Sequence, residues 1–304
     1  MSSQLSVAAP SLGMTLGVFY ICATIAAMQV GFFGITTSQV AKYYKKYPDD
    51  WWIFQYSVGI LWIFDALHVA LSTHVTYHYL IDLFGDYDEL QHIVWSFRLQ
   101  ILTAVIVIVG VQGIYTIRIW KLGRYFHRIL PWIVVLTFIV TLGNVIFSVR
   151  DAYSISNFQM LPSVKGAACI IHSILLVSDF IITLSMCYYL HKSRKASGFF
   201  KTSDKLLGMM RLGVISGLAT STCTLLALIT YLMRPNTFIA FGIDLILPKL
   251  HINSLLAMLN SRKARAKGAS SESKALALTY HNSGTEVAHI SIPMESNVSL
   301  EASK

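Results

Sequence analysis

Charge is scarce in this chain. Only 13% of its 304 residues are Asp, Glu, Lys or Arg, about half the usual 25% of a soluble domain. So few solvating groups exclude a soluble enzyme and a disordered protein. They exclude a nucleic-acid binder as well, despite a net charge of +9 and a pI near 9.3. Cysteine supplies no staple: Cys22, Cys169, Cys187 and Cys223 all fall within apolar stretches, so no disulfide framework is expected. Nor is the first apolar segment expected to be a cleavable leader. Met1 to Ser11 holds no Lys or Arg, the apolar run behind it is long, and basic residues follow rather than precede it. No internal repeat is apparent.

What is present is length of apolar run. Hydrophobic residues make up 55% of the chain and mean hydropathy is +0.58. Seven segments fit a hydrocarbon layer about 30 Å thick at 1.5 Å per residue. They are Leu12–Val40, Trp51–Tyr77, His92–Ile117, Ile129–Val149, Val164–Leu190, Leu206–Leu232 and Thr237–Asn260. The second carries Asp65 and His68 and the seventh carries Asp244, Pro248 and Lys249, so a six-span chain lacking the seventh is the competing count.

Basic residues favour seven. They gather after the first span (Lys42, Lys45, Lys46), after the third (Arg118, Lys121, Arg124, Arg128), between the fifth and sixth (Lys192, Arg194, Lys195, Lys201, Lys205) and after the seventh (Arg262, Lys263, Arg265, Lys267). The alternate connections hold almost none. The positive-inside rule then sets the amino terminus outside and the carboxyl terminus in the cytoplasm. Residues 1–11 form a short outer segment, 12–260 the helical domain, and the Ser/Ala-rich stretch 261–304 a disordered tail. The sequon Asn297-Val298-Ser299 falls in that tail and is expected to be silent. The fold class is therefore all-α, an integral membrane seven-helix bundle in the plasma membrane or an endomembrane. Its partners are the lipid bilayer, with anionic lipid at Arg262, Lys263, Arg265 and Lys267, and an unidentified small or lipidic ligand. No nucleic acid and no cofactor is expected.

Ionisable residues inside a span cost about 2.5–3.5 kcal/mol each, so each asks for a reason. Asp65, His68 and Ser72 form one stripe on the second helix; Lys165, His172 and Asp179 share a face of the fifth. On the seventh, Lys249, Asn253 and Asn260 make one stripe, and Asp244 with His251 another. These stripes face the bundle interior, because lipid cannot solvate them. They serve either as interhelical glue or as the lining of a ligand or ion cavity. Asp65, His68, Gln112, His172, Asp179, Asp244, Lys249, Asn253 and Asn260 are the candidate site.

Two sharper chemistries fit less well. His74 and His78 at i, i+4 have metal-chelating spacing, as in lipid-acting membrane hydrolases. His74 lies about 180° around the helix from Asp65, however, and no second His pair exists. Lys249 could carry a Schiff base, but Asp244 is rotated about 140° from it, and the third span has no acidic residue. Neither a metal site nor a catalytic residue is assigned, and the chain is not expected to be an enzyme. The acidic connection Asp82–Gln91 reads as a solvated loop, and Gly13-xxx-Gly17 and Gly213-xxx-Gly217 as points of close helix approach.

Three strings carry a family likeness: Leu61-Trp-Ile-Phe-Asp65-Ala-Leu-His68, Val111-Gln112-Gly113-Ile114-Tyr115 leading to Arg118-Ile-Trp-Lys-Leu122, and Lys249-Leu-His-Ile-Asn253-Ser-Leu-Leu-Ala257-Met-Leu259-Asn260-Ser-Arg262. The chain resembles a family of basidiomycete fungal seven-span proteins with a carboxyl-terminal domain of unknown function ending in an Asn-Ser-x-Leu-Ala-x-Leu-Asn-x-Arg string. The resemblance covers roughly residues 12–265; His251 stands where the family often has Tyr. It implies the seven-helix membrane architecture and a shared interior containing Asp65, His68, Gln112, Lys249, Asn253 and Asn260, but no activity. General receptor signatures are missing. The third span ends Tyr115-Thr-Ile-Arg118 without an acidic-Arg-Tyr triplet, and the seventh has no Asn-Pro-x-x-Tyr. The leading expectation is a receptor-like or sensory protein, with a transporter or channel as the alternative and an intramembrane hydrolase third.

Overall fold

The computed structural model describes residues 12–83, 89, 92–123, 129–154, 165–196, 200–233 and 239–261, leaving aside the side chains of 12–23, 165, 193–196, 200–210 and 239. Among them the elements are all helical: α1 Leu12–Lys46, α2 Trp52–Tyr77, α3 Trp95–Gly123, α4 Ile129–Ser154, α5 Lys165–Ala196, α6 Phe200–Met233 and α7 Ile239–Asn260. A π-helical turn, His78–Asp82, extends α2. The described residues belong to one compact unit. All of the expected tail but Ser261 lies outside the described residues, and with it the sequon and the basic run from Arg262 to Lys267. So do the outer segment 1–11 and most of the acidic loop.

Among the described residues six helices, α2 to α7, are long and apolar enough to cross a membrane. The seventh span is among them, so the count that drops it gives way. α1 is 35 residues long, and its span rests on the apolar run Leu12–Val40. The outward surface explains why these helices need lipid. On α4, Ile129, Trp132, Ile133, Leu136, Ile139, Val140, Ile146 and Phe147 are all exposed, a continuous apolar stripe far larger than a water-facing surface tolerates. The chain is an integral membrane protein of the helical class.

Helix ends run past the apolar limits. α1 continues to Lys46 and α3 to Gly123, because a helix satisfies its own backbone in water as well as in lipid, and hydropathy marks only the lipid part. Lys45 and Lys46 occupy the last turn of α1, where cations suit the helix dipole. Pro48 follows, and Tyr43 Oη donates to Asp50 (2.7 Å) while Gln55 Nε2 donates to the carbonyl of Pro48 (2.6 Å), closing the turn into α2.

Sequence neighbours pack side by side, and α7 returns to α1. Inside this ring α3 also touches α5 and α7, and α7 also touches α2. Burial follows: 56% of the apolar window of α7 and 50% of that of α3 is enclosed, against 17% for α4. Odd-numbered helices run one way and even-numbered ones the other. The face where α1, α3, α5 and α7 begin is termed proximal, the face where they finish distal.

Candidate functional site

α7 is the spoke that reaches every neighbour. On its α1 side, Asn253 Nδ2 donates to the carbonyls of Lys249 (2.9 Å) and Phe32 (3.4 Å), and Asn260 Nδ2 to the carbonyl of Gln39 (2.9 Å). The Asn260 carbonyl in turn receives Lys46 Nζ (2.8 Å) and Tyr47 Oη (3.3 Å). Toward α2, Lys249 Nζ contacts the Asp65 carboxylate and donates to the Asp65 carbonyl at 3.0 Å. Both side chains are fully enclosed, and Thr36 of α1 also interacts with the carboxylate. A buried charge persists only when paired, so Asp65 answers the Lys249 ammonium.

The Asp65 stripe continues proximally. Ser72 Oγ donates to Gln29 Oε1 (3.0 Å) and accepts from Gln100 Nε2 (3.0 Å), joining α1, α2 and α3. Between these two layers sits His68, wholly buried, with neither ring nitrogen finding a hydrogen-bond partner among the described residues. Further out, His74 Nδ1 meets Ser96 Oγ at 2.9 Å and His78 Nδ1 meets Asp82 at 3.3 Å. The two histidines with chelating spacing thus have separate partners.

The second polar group lies between α3, α5, α6 and α7. His172 Nε2 meets Asp244 Oδ1 at 2.8 Å, and Tyr231 Oη of α6 donates to Asp244 Oδ2 at 2.8 Å. One heptad further along both helices, His251 Nε2 meets Asp179 Oδ2 at 3.3 Å and Gln112 Nε2 of α3 donates to Asp179 Oδ1 at 3.2 Å. The acid and base have changed helices between the two couples. Each pair spans 72 residues, Gln112 and Asp179 are 67 apart, and Tyr115 and Ser254, whose hydroxyls meet at 3.2 Å, are 139 apart. Those constant offsets mean that α3, α5 and α7 run parallel in fixed register. Their inward residues recur at alternating steps of three and four: 172, 175, 179, 182, 186 on α5 and 244, 247, 251, 254, 258 on α7. This is the spacing of a knobs-into-holes seam.

Read in layers, the seam alternates in polarity. The His172–Asp244 couple lies nearest the proximal face. Next comes an apolar cluster, Ile108, Leu175 and Leu247, with Ile171 and Cys223 packed on it. The Asp179–His251 couple follows and borders a cavity of about 30 Å³ lined also by Tyr115, Ser216, Thr220 and Ser254. A second apolar cluster, including Ile119, Met186 and Met258, lies beyond it. The cavity has room for one or two waters.

Residues 175–264 match DUF6534, a family of unknown function. The DUF6534 segment opens in the first apolar layer and takes in Asp179, Asp244, Lys249, His251, Asn253 and Asn260. Asp65, His68, Gln112 and His172 lie outside it. Its polar side chains therefore draw partners from beyond its own borders: Lys249 from α2, Asp244 from the first half of α5, Asp179 from α3. No curated protein and no solved structure matches the chain.

Every candidate from the sequence is interior, but in two groups. Asp65, His68, Lys249, Asn253 and Asn260 border α1 and α2; Gln112, His172, Asp179 and Asp244 form the α3–α5–α7 seam. Lys165, placed on the same α5 face by spacing, lies outside the described side chains. Sequence reasoning missed Gln29, Gln100, Tyr115 and Tyr231, and it noted His251 without assigning it to the site. The alternating three-four spacing was the signal for His251 and Tyr115. Gln29 and Gln100 are single polar residues in long apolar runs and carry none.

Proposed function

We propose that this chain is a receptor-like membrane protein in which α7 is the responding element. One observation supports this reading above others: α7 holds polar contacts to α1, α2, α5 and α6 on both sides of Pro248. Proline offers no N–H, so the Asp244 carbonyl has no helical bond in this turn, and the helix is weakest beside its own acid–base contacts. A small or lipidic ligand seated between helices would redistribute those contacts and turn the proximal part of α7. In this reading the amino terminus lies outside and the basic distal face lies in the cytoplasm. Arg262, Lys263, Arg265 and Lys267 attract anionic lipid there, and the membrane is the plasma membrane or an endomembrane. The resemblance of roughly residues 12–265 to basidiomycete seven-span proteins belongs to the same reading.

Native mass spectrometry of the detergent-purified protein tests it. The expected result is a bound species of defined mass, retained by the purified protein. A protein that carries no such species, and takes up none from a total lipid extract, speaks against the receptor-like reading.

The alternation of polar and apolar layers favours a second reading, transport. The cavity beside Asp179 admits only a very small cargo, and apolar clusters separate it from the proximal couple on one side and from the distal end on the other.

A further inference from the structure

We propose that the cargo of the α3–α5–α7 seam is the proton, with the two His–Asp couples as its holding sites and the Ile108–Leu175–Leu247 cluster as its gate. This rests on the transport reading and names its substrate.

The hydrogen-bond inventory carries the assignment. His172 Nδ1 lies 2.8 Å from the carbonyl of Ala168, and His251 Nδ1 lies 2.9 Å from the carbonyl of Leu247. A carbonyl only accepts, so each Nδ1 bears a hydrogen. The opposite nitrogen, Nε2, faces a carboxylate oxygen, which in its ionised form also only accepts. A hydrogen must stand between them as well. Each couple therefore holds one proton more than a neutral imidazole beside an ionised carboxylate, whether the pair is written as imidazolium–carboxylate or as imidazole–carboxylic acid. So loaded, a couple is neutral overall, the condition that low-dielectric surroundings favour. Once emptied, it leaves a net negative charge in the membrane interior, which drives reloading.

Position turns two sites into a path. Asp244 keeps 27% of its side-chain surface uncovered and lies one to two turns from the proximal start of α7, where it can exchange with water. Asp179 is buried, faced by His251 of α7 and Gln112 of α3. The hydroxyls of Ser216 and Thr220 line the cavity from α6, and Arg118 lies distally, close enough to act on Tyr115. Seven residues along parallel helices place the couples about 10.5 Å apart, too far for a direct hop. The apolar cluster fills the gap and keeps water out. Leu247 immediately precedes Pro248, so the turn freed of a backbone bond is the one that carries the gate. When Leu247 withdraws, water joins the couples. The distal couple first releases its proton through the adjoining cavity to the distal side, past the Ile119–Met186–Met258 cluster, which opens in its turn. The emptied couple then accepts the proton that leaves Nε2–H···O of the proximal couple, and Asp244 and His172 reload from the proximal side. No covalent bond to carbon changes, and the membrane potential or proton gradient supplies the drive.

The test uses full-length protein in liposomes holding a pH-sensitive dye, with a potassium diffusion potential imposed by valinomycin. Leu247→Ser, which makes the gate wettable, is expected to raise proton entry about tenfold over protein-free liposomes. Adding Asp179→Asn is expected to return it to the starting level. If Leu247→Ser does not purify as a monodisperse species, Leu175→Ser asks the same question from α5. No increase with a folded gate variant overturns the path itself. An increase that survives Asp179→Asn, or equal passage of sodium ions, keeps a path but overturns the proton assignment.

Discussion

Lys249 and Asp65 stand 184 residues apart, yet the ammonium of one contacts both the carboxylate and the backbone carbonyl of the other, with both side chains fully enclosed. The pair fixes the rotation of α7 against α2. Removing either partner leaves an unpaired buried charge. Lys249→Met or Asp65→Leu alone is expected to cost about 3–5 kcal/mol, whereas the double substitution should recover most of it. Thermal unfolding of the purified proteins in detergent measures the three. A double variant as unstable as the singles would show that the pair is not what they lose.

His68 presents the opposite case, a buried imidazole without a partner among the described residues. Leaving a polar group unsatisfied costs about 1–3 kcal/mol. His68→Leu is therefore expected to raise the unfolding midpoint, and a clear fall would mean that the ring is engaged in the folded protein.

Tyr231 gives one hydrogen bond to Asp244, and bonds to charged groups contribute about 1.5–3 kcal/mol. Tyr231→Phe should lower stability by about that much. Combined with Asp244→Asn it should cost less than the sum of the single changes, since both act on one interaction. Strict additivity would remove Tyr231 from the couple.

The two glycines of Gly213-xxx-Gly217 are not equivalent. A Cβ at Gly217 would collide with Thr183 of α5, while one at Gly213 meets nothing within 4 Å. Gly217→Ala is expected to destabilise by about 1–3 kcal/mol through overpacking. Gly213→Ala should be neutral or gain up to about 1 kcal/mol from helix propensity. Equal effects in a melting experiment would contradict the close approach of α5 and α6.

Orientation has its own measurement. An engineered sequon within 82–91 is expected to be glycosylated, and one within 118–128 to stay unmodified, as read by mobility before and after endoglycosidase treatment. The reverse pattern would invert the bundle in the membrane.

The helices were legible because lipid imposes long apolar runs, and α2 to α7 follow them closely. Their ends were less so: α1 reaches Lys46 and α3 reaches Gly123 because nothing about a basic knot halts a helix. Stripes told which face of each helix is polar, and Asp65, His68, Asp179, His251 and Lys249 are all buried accordingly. They did not tell which neighbour each face meets. A helical wheel on α7 separates Lys249 from Asp244, but the rotation of one helix carries no record of α2 lying beside it. Nor does hydropathy notice Gln29 or Gln100, whose single amides vanish in the average over an apolar span. The pairing of His172 with Asp244 and of Asp179 with His251 was closer to reach, since both helices repeat the same seven-residue interval with acid and base exchanged.

At the distal face, Lys46 and Tyr47 hold the last carbonyl of α7, and Asn260 reaches back to Gln39. The first and final staves of the bundle are thereby hooped together at one rim. A hooped rim cannot splay, so any opening of the bundle must resemble a hinge with one leaf screwed down. The proximal half of α7 would swing about Pro248, while its distal half stays fastened to α1.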